Sequence, residues 1–231
     1  MKYIFYLAYL ILICSIVYYL YFYTEIFIQN IPKIIIQTWK TDNVPNTYTS
    51  YVETLKELHP DYQYIFFTDE TIENFLKSNY PQYYETYKKL PIKIQKIDFF
   101  RYIAIYHYGG FYLDLDMKCN QNFDALLRHN CVFPVDDYIP MHKKHIHRYS
   151  HFIKNNQRYL IGQYAFASVP NHPFIKLLID DIHENINIYI KHVNADNDDY
   201  VYQTTGPDFV TLKYMQSKNK HDIFISVSYT H

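Results

Sequence analysis

The first apolar stretch of the chain is long enough to cross a membrane. From Tyr3 to Tyr23 no residue is charged, and about 21 residues would form a helix about 31 Å long, against a bilayer core of about 30 Å. A cleavable signal peptide would have a shorter apolar core and a cleavage site of small residues. We therefore expect a transmembrane anchor over residues 1–28 and a separate domain over residues 31–231.

Beyond residue 30, short β-branched runs alternate with segments of helical period. The runs "IPKIIIQTW" (31–39) and "YQYIFFTD" (62–69) have the length and composition of strands. The pattern predicts one helix over 48–58 between them and another over 70–79 after them. Strand, helix, strand and helix in this order are typical of an α/β domain with a largely parallel sheet.

The stretch from 90 to 110 has the clearest helical period in the chain. Its apolar residues recur at helical spacing, and Gly109 fits the left-handed position just past a helix end. A third strand, "FYLDLD" (111–116), is expected to follow it directly. Two glycines therefore separate the predicted helix from a strand that ends in acidic residues.

The remaining residues continue the α/β pattern. We expect a polar, irregular stretch over 134–158, a strand over 159–169 and a long helix over 171–193. The histidines of the irregular stretch have spacings that match no structural zinc site. Because no internal repeat or low-complexity linker interrupts residues 31–231, the predicted fold class is a single α/β domain with a mixed, mostly parallel sheet, preceded by one transmembrane helix.

Composition and charge exclude several classes of function. The formal net charge is −1, with 22 basic and 23 acidic residues, so nothing indicates a nucleic-acid partner. Apolar residues make up 49% of the 231 positions, which is enough for one well-packed domain. The three cysteines form neither a disulfide framework nor a metal-type spacing.

Two carboxylates at the end of the third predicted strand are the strongest sign of chemistry. Residues i and i+2 of a strand point to the same face, so Asp114 and Asp116 are expected to face one spot. Like charges so close repel each other unless a cation lies near them. Carboxylates and substrate phosphates commonly hold Mg²⁺ or Mn²⁺, and ligands of open α/β sheets bind at the carboxyl ends of strands. We therefore predict that Asp114 and Asp116 are metal ligands in a phosphate-binding site.

A pair of opposite charges precedes this motif on the predicted helix. Asp98 and Arg101 are three residues apart and share one helix face. Without context, a solvated ion pair explains them equally well, and such pairs contribute little to stability. Their position just before the glycines and the Asp-x-Asp sequence favours a role in the same site.

These motifs together resemble those of a known enzyme family. The segments "IPKIIIQTWKT", "DFFRYIAIYHYGGFYLDLDMKC", "PNHPF" and "TGP" look like those of glycosyltransferases with the DXD sugar-binding motif. That group includes the inositol-phosphoceramide mannosyltransferases and, more distantly, the large clostridial glucosylating toxins. The resemblance covers about residues 31–210. It implies a GT-A fold and a transfer that retains the anomeric configuration.

The resemblance implies roles for particular residues. Trp39 matches the aromatic residue that stacks on the nucleotide base, although a core tryptophan at a strand end is the structural alternative. Asp98 and Arg101 match the pair that contacts the donor sugar. Asp114 matches the first carboxylate of the motif, near ribose and sugar, and Asp116 the second, which binds the divalent cation. Apart from Trp39, these are the expected catalytic residues.

The resemblance also implies a cofactor, partners and a location. Gly109 and Gly110 are expected to let the backbone turn beneath the donor. The cofactor would be Mn²⁺ or Mg²⁺, the donor a GDP- or UDP-sugar, and the acceptor a glycan, glycolipid or protein. We expect a single-pass type II membrane protein with a lumenal catalytic domain, although the charges that flank the anchor indicate its orientation only weakly.

Two other functions stay open on the sequence. A phosphatase of the Asp-x-Asp-x-Thr type would use the first aspartate as nucleophile, but Lys118 stands where that motif needs Thr or Val. A non-catalytic sugar-binding or assembly subunit of a glycosylation complex would keep the same motifs. Hydrolysis of a nucleotide sugar in the presence of Mn²⁺ separates the transferase from the binding module.

Overall fold

A computed structural model of the chain describes residues 11–18, 30–139, 142, 147–192 and 198–226. The chain divides into two compact units, Met1–Asn30 and Ile31–His231. In the first unit, residues 11–18 are helical and belong to helix α1, while the rest of the predicted anchor lies outside the described residues. Within the described part of the chain, no helix combines the length and the apolar composition that crossing a bilayer requires.

The described residues of the second unit build a mixed, seven-stranded sheet. Its strands are β1 (Ile34–Thr38), β2 (Gln63–Phe67), β3 (Gly110–Leu113), β4 (Cys131–Tyr138), β5 (Tyr159–Ile161), β6 (Ala165–Ser168) and β7 (Ile223–Ser226). They lie in the order β2-β1-β3-β6-β4-β5, and β7 pairs with β4. β1 is parallel to β2 and β3, and β4 is parallel to β7. The remaining pairings, β3–β6, β4–β6 and β4–β5, are antiparallel, so the predicted mixed sheet is confirmed.

Helices cover both faces of this sheet. They are α2 (Asn46–Leu58), α3 (Asp69–Asn79), α4 (Pro81–Lys89), α5 (Lys93–Tyr108), α6 (His147–Lys154), α7 (Pro173–Tyr189), α8 (Asp198–Thr204) and α9 (Pro207–Gln216). Alternate strand residues point to opposite faces. Ile36 and Tyr112 therefore join the larger core with α3, α4, α5 and α7, whereas Ile35 and Phe111 join a smaller core with Leu55 of α2.

Helix α5 is enclosed over most of its circumference. All residues from 98 to 105 are buried, and the helix packs between α7 and the sheet. The helix predicted over 90–110 starts at Lys93. Leu90 instead ends the separate helix α4, because it precedes Pro91 and takes an extended conformation. An enclosed helix has no solvated face, so the charges of Asp98 and Arg101 must be satisfied inside the protein.

The third strand is shorter than the sequence predicts. It ends at Leu113, and both acids lie in the turn that follows, where the Met117 amide donates to the Asp114 carbonyl at 3.2 Å. A continued strand would point both carboxylates to one face. The turn instead leaves Asp114 partly buried and Asp116 exposed.

Two segments in the second half of the chain also differ from the prediction. The stretch over 134–158 is not irregular, because it contains most of β4 and all of α6. The sequence does not predict β4 because the strand contains Pro134, Asp136 and Asp137, and proline and aspartate are rare in strand interiors. The single strand predicted over 159–169 is two strands, β5 and β6.

The two glycines that precede β3 serve packing. Gly109 and Gly110 have φ values of 66° and 88°, a region that favours glycine. A Cβ on Gly110 would lie 2.4 Å from the Ile34 carbonyl oxygen, and one on Gly109 would lie 2.8 Å from a side-chain carbon of Pro170. Both glycines lie at the opposite end of β3 from Asp114, roughly 13 Å along the strand. Packing alone explains both glycines, and the expectation that they turn the backbone beneath a donor stays a prediction.

Replacing Gly110 with alanine should destabilise the fold by about 2–4 kcal/mol, because backbone strain adds to a clash with fixed backbone. The control is Gly162→Ala, whose Cβ meets only the side chain of Tyr164, which can rotate away. We expect the control to lose about 1 kcal/mol or less. Chemical denaturation of both variants measures the difference, and equal losses would show that β1 yields to accommodate the methyl group.

Candidate active site

The predicted site residues meet where β1 and β3 end. The register pairs Ile36 with Tyr112, so Thr38 and Asp114 lie at the same level, on the carboxyl edge of the parallel strands. A cavity of about 380 Å³, here called the outer cavity, opens at this edge. Its wall includes Trp39, Tyr48, Lys93, Arg101, Asp114 and Asp116.

A second cavity of about 290 Å³, here called the inner cavity, adjoins the first. The two cavities share Ile94, Arg101 and Asp114 as lining residues. Asp98 lines the inner cavity but not the outer one. The structure therefore brings Trp39, Asp98, Arg101, Asp114 and Asp116 to two connected cavities, and places Gly109 and Gly110 outside them.

Arg101 joins the acid of helix α5 to the acid of the turn. Its side chain is 2% exposed, and one terminal nitrogen, Nη2, lies 3.3 Å from Asp98 Oδ1 and 3.2 Å from Asp114 Oδ1. The other, Nη1, donates to the Gln163 carbonyl at 3.0 Å. The guanidinium also lies 4.7 Å from the centre of the Tyr112 ring. The pair predicted from spacing is thus an internal cluster and not a solvated ion pair.

Asp98 is the most deeply buried acid of this cluster. Its side chain is 1% exposed, and the Thr205 hydroxyl donates to its Oδ2 at 2.7 Å. Burial raises the pKa of Asp98 to about 6, against the opposing effects of Arg101 and Thr205. Among the described residues, Asp98 Oδ1 and Arg101 Nε have no hydrogen-bond partner. Buried polar atoms are almost always paired, and both of these unpaired atoms belong to residues that line the inner cavity.

The carboxylate of Asp114 is held from two sides. Arg101 contacts both of its oxygens, and the Tyr112 hydroxyl donates to Oδ1 at 2.9 Å. The Thr38 hydroxyl lies 3.0 Å from the Tyr112 hydroxyl and continues this chain of hydrogen bonds. Burial raises the pKa of Asp114, while Arg101 opposes the shift. The orientation of Asp114 is therefore fixed before any ligand binds.

Gln37 fixes the backbone of the same turn. Its buried amide donates to the carbonyls of Leu113 and Asp114, each at 3.4 Å, and accepts a hydrogen bond from the Tyr64 hydroxyl at 2.9 Å. These bonds tie the end of β3 to β1 and β2. The turn that carries both acids is thereby anchored to the parallel strands.

Asp116 differs from Asp114 in having an exposed carboxylate. It forms no hydrogen bond or ion pair with any described residue, and the described residues hold no group of three or more metal-ligating side chains. Mg²⁺ and Mn²⁺ are often held by one or two carboxylates, substrate phosphates and water. The donor set of this turn fits such an ion, with Asp116 as the available carboxylate.

Sequence reasoning missed several residues that shape the site. Tyr48 packs edge-to-face on Trp39 with ring centres 5.7 Å apart, and the Lys40 ammonium lies 5.8 Å from the Trp39 ring centre. Gln37 is a polar residue near the end of an apolar strand. A polar residue that such a strand buries usually has a specific partner, and this signal was present in the sequence. Thr205 belonged to the "TGP" segment, but its bond to α5 depends on tertiary contacts.

The architecture is shared with a solved glycosyltransferase. The PaToxG glycosyltransferase superimposes with a TM-score of 0.56 and 16% sequence identity, covering 81% of this chain and 70% of that chain. Identity this low shows a common fold and nothing finer. The predicted glycosyltransferase fold is therefore confirmed.

Sequence comparison defines the family. The model for the glycosyltransferase sugar-binding region containing the DXD motif matches residues 45–133. An uncharacterized glycosyltransferase of Acanthamoeba polyphaga mimivirus is 30% identical over 210 residues, covering 87% of this chain and 73% of the relative. Inositol phosphoceramide mannosyltransferase 2 of Schizosaccharomyces pombe is 36% identical over 159 residues, covering 69% of this chain and 40% of the relative. The chain belongs to the DXD-motif glycosyltransferase family, as its motifs predicted.

Replacing Arg101 with methionine should destabilise the fold by about 3–5 kcal/mol at pH 8, because Asp98 then stays buried without its cation. The pKa of Asp98 in the folded chain already lies above its unfolded value, at about 6, and loss of the cation raises it further. Stability of the variant should therefore recover as pH falls from 8 to 5, since protonation removes the buried charge. Urea unfolding at both pH values measures this recovery.

The control for this variant is Arg128→Met, which removes an exposed arginine. We expect a change of about 0.5 kcal/mol or less, with the pH dependence of the unmodified chain. A loss for Arg101→Met that is equal at pH 5 and pH 8 would contradict a charged Asp98 in the folded protein.

Proposed function

We propose that the chain transfers a hexose from a nucleotide sugar to a hydroxyl acceptor, with a divalent cation and with retention of configuration. The observation that carries this proposal is how the two cavities divide these groups. Trp39 and the exposed carboxylate of Asp116 line only the outer cavity, Asp98 lines only the inner cavity, and Arg101 and Asp114 line both. This division suits a nucleoside diphosphate in the outer cavity and a sugar in the inner one.

The outer cavity suits the nucleotide part of the donor. Trp39 offers a ring face beside Tyr48, and an aromatic face is a general means of binding a base. The lining also includes Lys40 and Lys93, and Lys93 forms an ion pair with Asp69 at 2.5 Å. Cations at this position attract a diphosphate.

The diphosphate would be held through the turn that carries the two acids. Asp116 holds the Mn²⁺ or Mg²⁺ ion, assisted by Asp114, whose position Arg101 and Tyr112 fix. When bound, the ion supplies charge neutralisation on the leaving diphosphate. The protein contributes a carboxylate in a fixed turn, so little reorganisation is needed.

The buried cluster suits the hydroxyl groups of the donor sugar. Asp98 Oδ1 accepts and Arg101 Nε donates, and both are without a hydrogen-bond partner among the described residues. A sugar hydroxyl can satisfy each of them. A sugar lacking the matching hydroxyl would leave a buried polar atom without a hydrogen bond, and discrimination by such sites is large.

The transfer step needs no separate nucleophile from the protein. The acceptor oxygen forms its bond to the anomeric carbon on the face from which the diphosphate departs. The bond between that carbon and the phosphate oxygen breaks, its electron pair stays with the diphosphate, and the acceptor proton passes to the same group. Arg101 lines both cavities and would stabilise the negative charge that grows on the departing diphosphate.

The names of relatives support a finer proposal for the substrates. The Schizosaccharomyces pombe relative is an inositol phosphoceramide mannosyltransferase, so we infer mannose, supplied as GDP-mannose, and an acceptor that carries an inositol phosphate headgroup. We further propose that the apolar segment from Tyr3 to Tyr23 anchors the chain in a membrane, in the type II orientation. A membrane anchor would keep the site near a lipid acceptor.

Asp116→Asn should abolish the thermal stabilisation that GDP-mannose with Mn²⁺ gives to the full chain, because the metal-binding carboxylate is lost. Asp98→Asn should keep the stabilisation by GDP and Mn²⁺ but lose the difference between GDP-mannose and GDP-glucose. The unmodified chain should also hydrolyse GDP-mannose slowly with Mn²⁺ and transfer mannose to inositol phosphoceramide. An Asp116→Asn variant that responds to nucleotide and Mn²⁺ like the unmodified chain would contradict the metal assignment.

A further inference from the structure

A β-bulge interrupts strand β4 beside the inner cavity. β4 pairs with β5 through Val135 and Ile161, and again through Tyr138 and Tyr159. β4 therefore has one residue more than β5 between these two pairs, and Asp136 and Asp137 occupy the bulge. Bulges are frequent next to active sites, where they redirect a side chain.

The two acids of the bulge have different surroundings. Asp136 is partly buried and lines the inner cavity together with Asp98, Arg101 and Asp114. Asp137 is exposed and does not line this cavity. Burial raises the pKa of Asp136, and Asp137 beside it adds to the shift. The bulge thus aims one carboxylate of an adjacent pair into the cavity.

Within the part of the chain that the structure describes, no hydrogen bond or ion pair explains the carboxylate of Asp136. It forms no hydrogen bond or ion pair with any described residue. The nearby cation, Arg148, is engaged by Asp208 through both carboxylate oxygens, at 2.9 Å and 2.6 Å. A partly buried acid without a partner costs stability. A ligand that donates hydrogen bonds in the inner cavity would offset this cost.

The position of Asp136 separates it from the donor nucleotide. Trp39 and Asp116 line only the outer cavity, Asp136 lines only the inner one, and Arg101 and Asp114 lie between them. The inner cavity is also lined by Asp136, Arg148, Tyr164 and Tyr202, none of which lines the outer cavity. A donor whose base lies at Trp39 and whose sugar lies at Arg101 would leave these residues to a second ligand.

We propose that Asp136 binds the acceptor, and that its carboxylate accepts hydrogen bonds from vicinal hydroxyls of a polyol ring such as inositol. The proposal rests on the transferase function proposed above and assigns its acceptor subsite. Two adjacent ring hydroxyls would bond to Asp136, while the next hydroxyl of the ring directs its oxygen at the anomeric carbon. Asp136 only orients the ring, and the proton of the attacking hydroxyl leaves with the diphosphate as described.

Asp136→Asn tests this assignment, and Asp137→Asn is a matched control one residue away on the same bulge. Binding of myo-inositol 1-phosphate to the full chain, saturated with GDP and Mn²⁺, is measured by isothermal titration calorimetry. Asp136→Asn should weaken this binding at least about tenfold, and Asp137→Asn should leave it within about twofold. With inositol phosphoceramide as acceptor, Asp136→Asn should also raise the acceptor KM, whereas Asp137→Asn should leave it within about twofold.

Each other outcome overturns the assignment. Equal binding by both variants would show that Asp136 does not contact the polyol, and absence of binding by the unmodified chain would exclude this acceptor class. A selective loss of GDP-mannose affinity over GDP would place Asp136 against the donor sugar. Failure of the proposed transferase function is scored separately, by the absence of GDP-mannose hydrolysis from the unmodified chain.

Discussion

The site depends on one buried cation. Arg101 lies between Asp98 of helix α5 and Asp114 of the turn after β3, at 3.3 Å and 3.2 Å. Without it, a buried and a partly buried carboxylate would face each other. Burying charges costs several kcal/mol per ion, and a well-packed apolar replacement is often as stable. The cluster is therefore best understood as a positioning device, which fixes α5 relative to the turn.

The turn after β3 resolves the repulsion between its two acids by giving them different surroundings. Asp114 faces inward and is neutralised by Arg101, with Tyr112 and Thr38 behind it. Asp116 faces solvent and is the residue that the proposed function assigns to the cation. Strand alternation predicted that both carboxylates point to one face. Because β3 ends at Leu113, the turn gives the two carboxylates different surroundings instead.

Local signals predicted much of this site, and long-range contacts account for the rest. The spacing of Asp98 and Arg101 on one helix and the alternation of strand residues are local features. The sequence alone therefore predicted that these two residues act together and that the site lies at the end of the strands. The glycine role, the bulge at Asp136 and strand β4 depend on neighbours far along the chain, namely Ile34, β5 and β7. No window of sequence contains both partners of such a contact.

The mixed sheet explains why the residues proposed for the donor nucleotide and for the acceptor would lie in different cavities. Its parallel part, β2-β1-β3, ends at Trp39 and Asp116. Its antiparallel part, β6-β4-β5, supplies Asp136 and Gln163. Arg101 lies beneath the join and contacts both parts, through Asp114 and the Gln163 carbonyl. A sugar bound at this join would have its leaving group over the parallel strands and its acceptor over the antiparallel strands. Arg101 would therefore position both the donor and the acceptor.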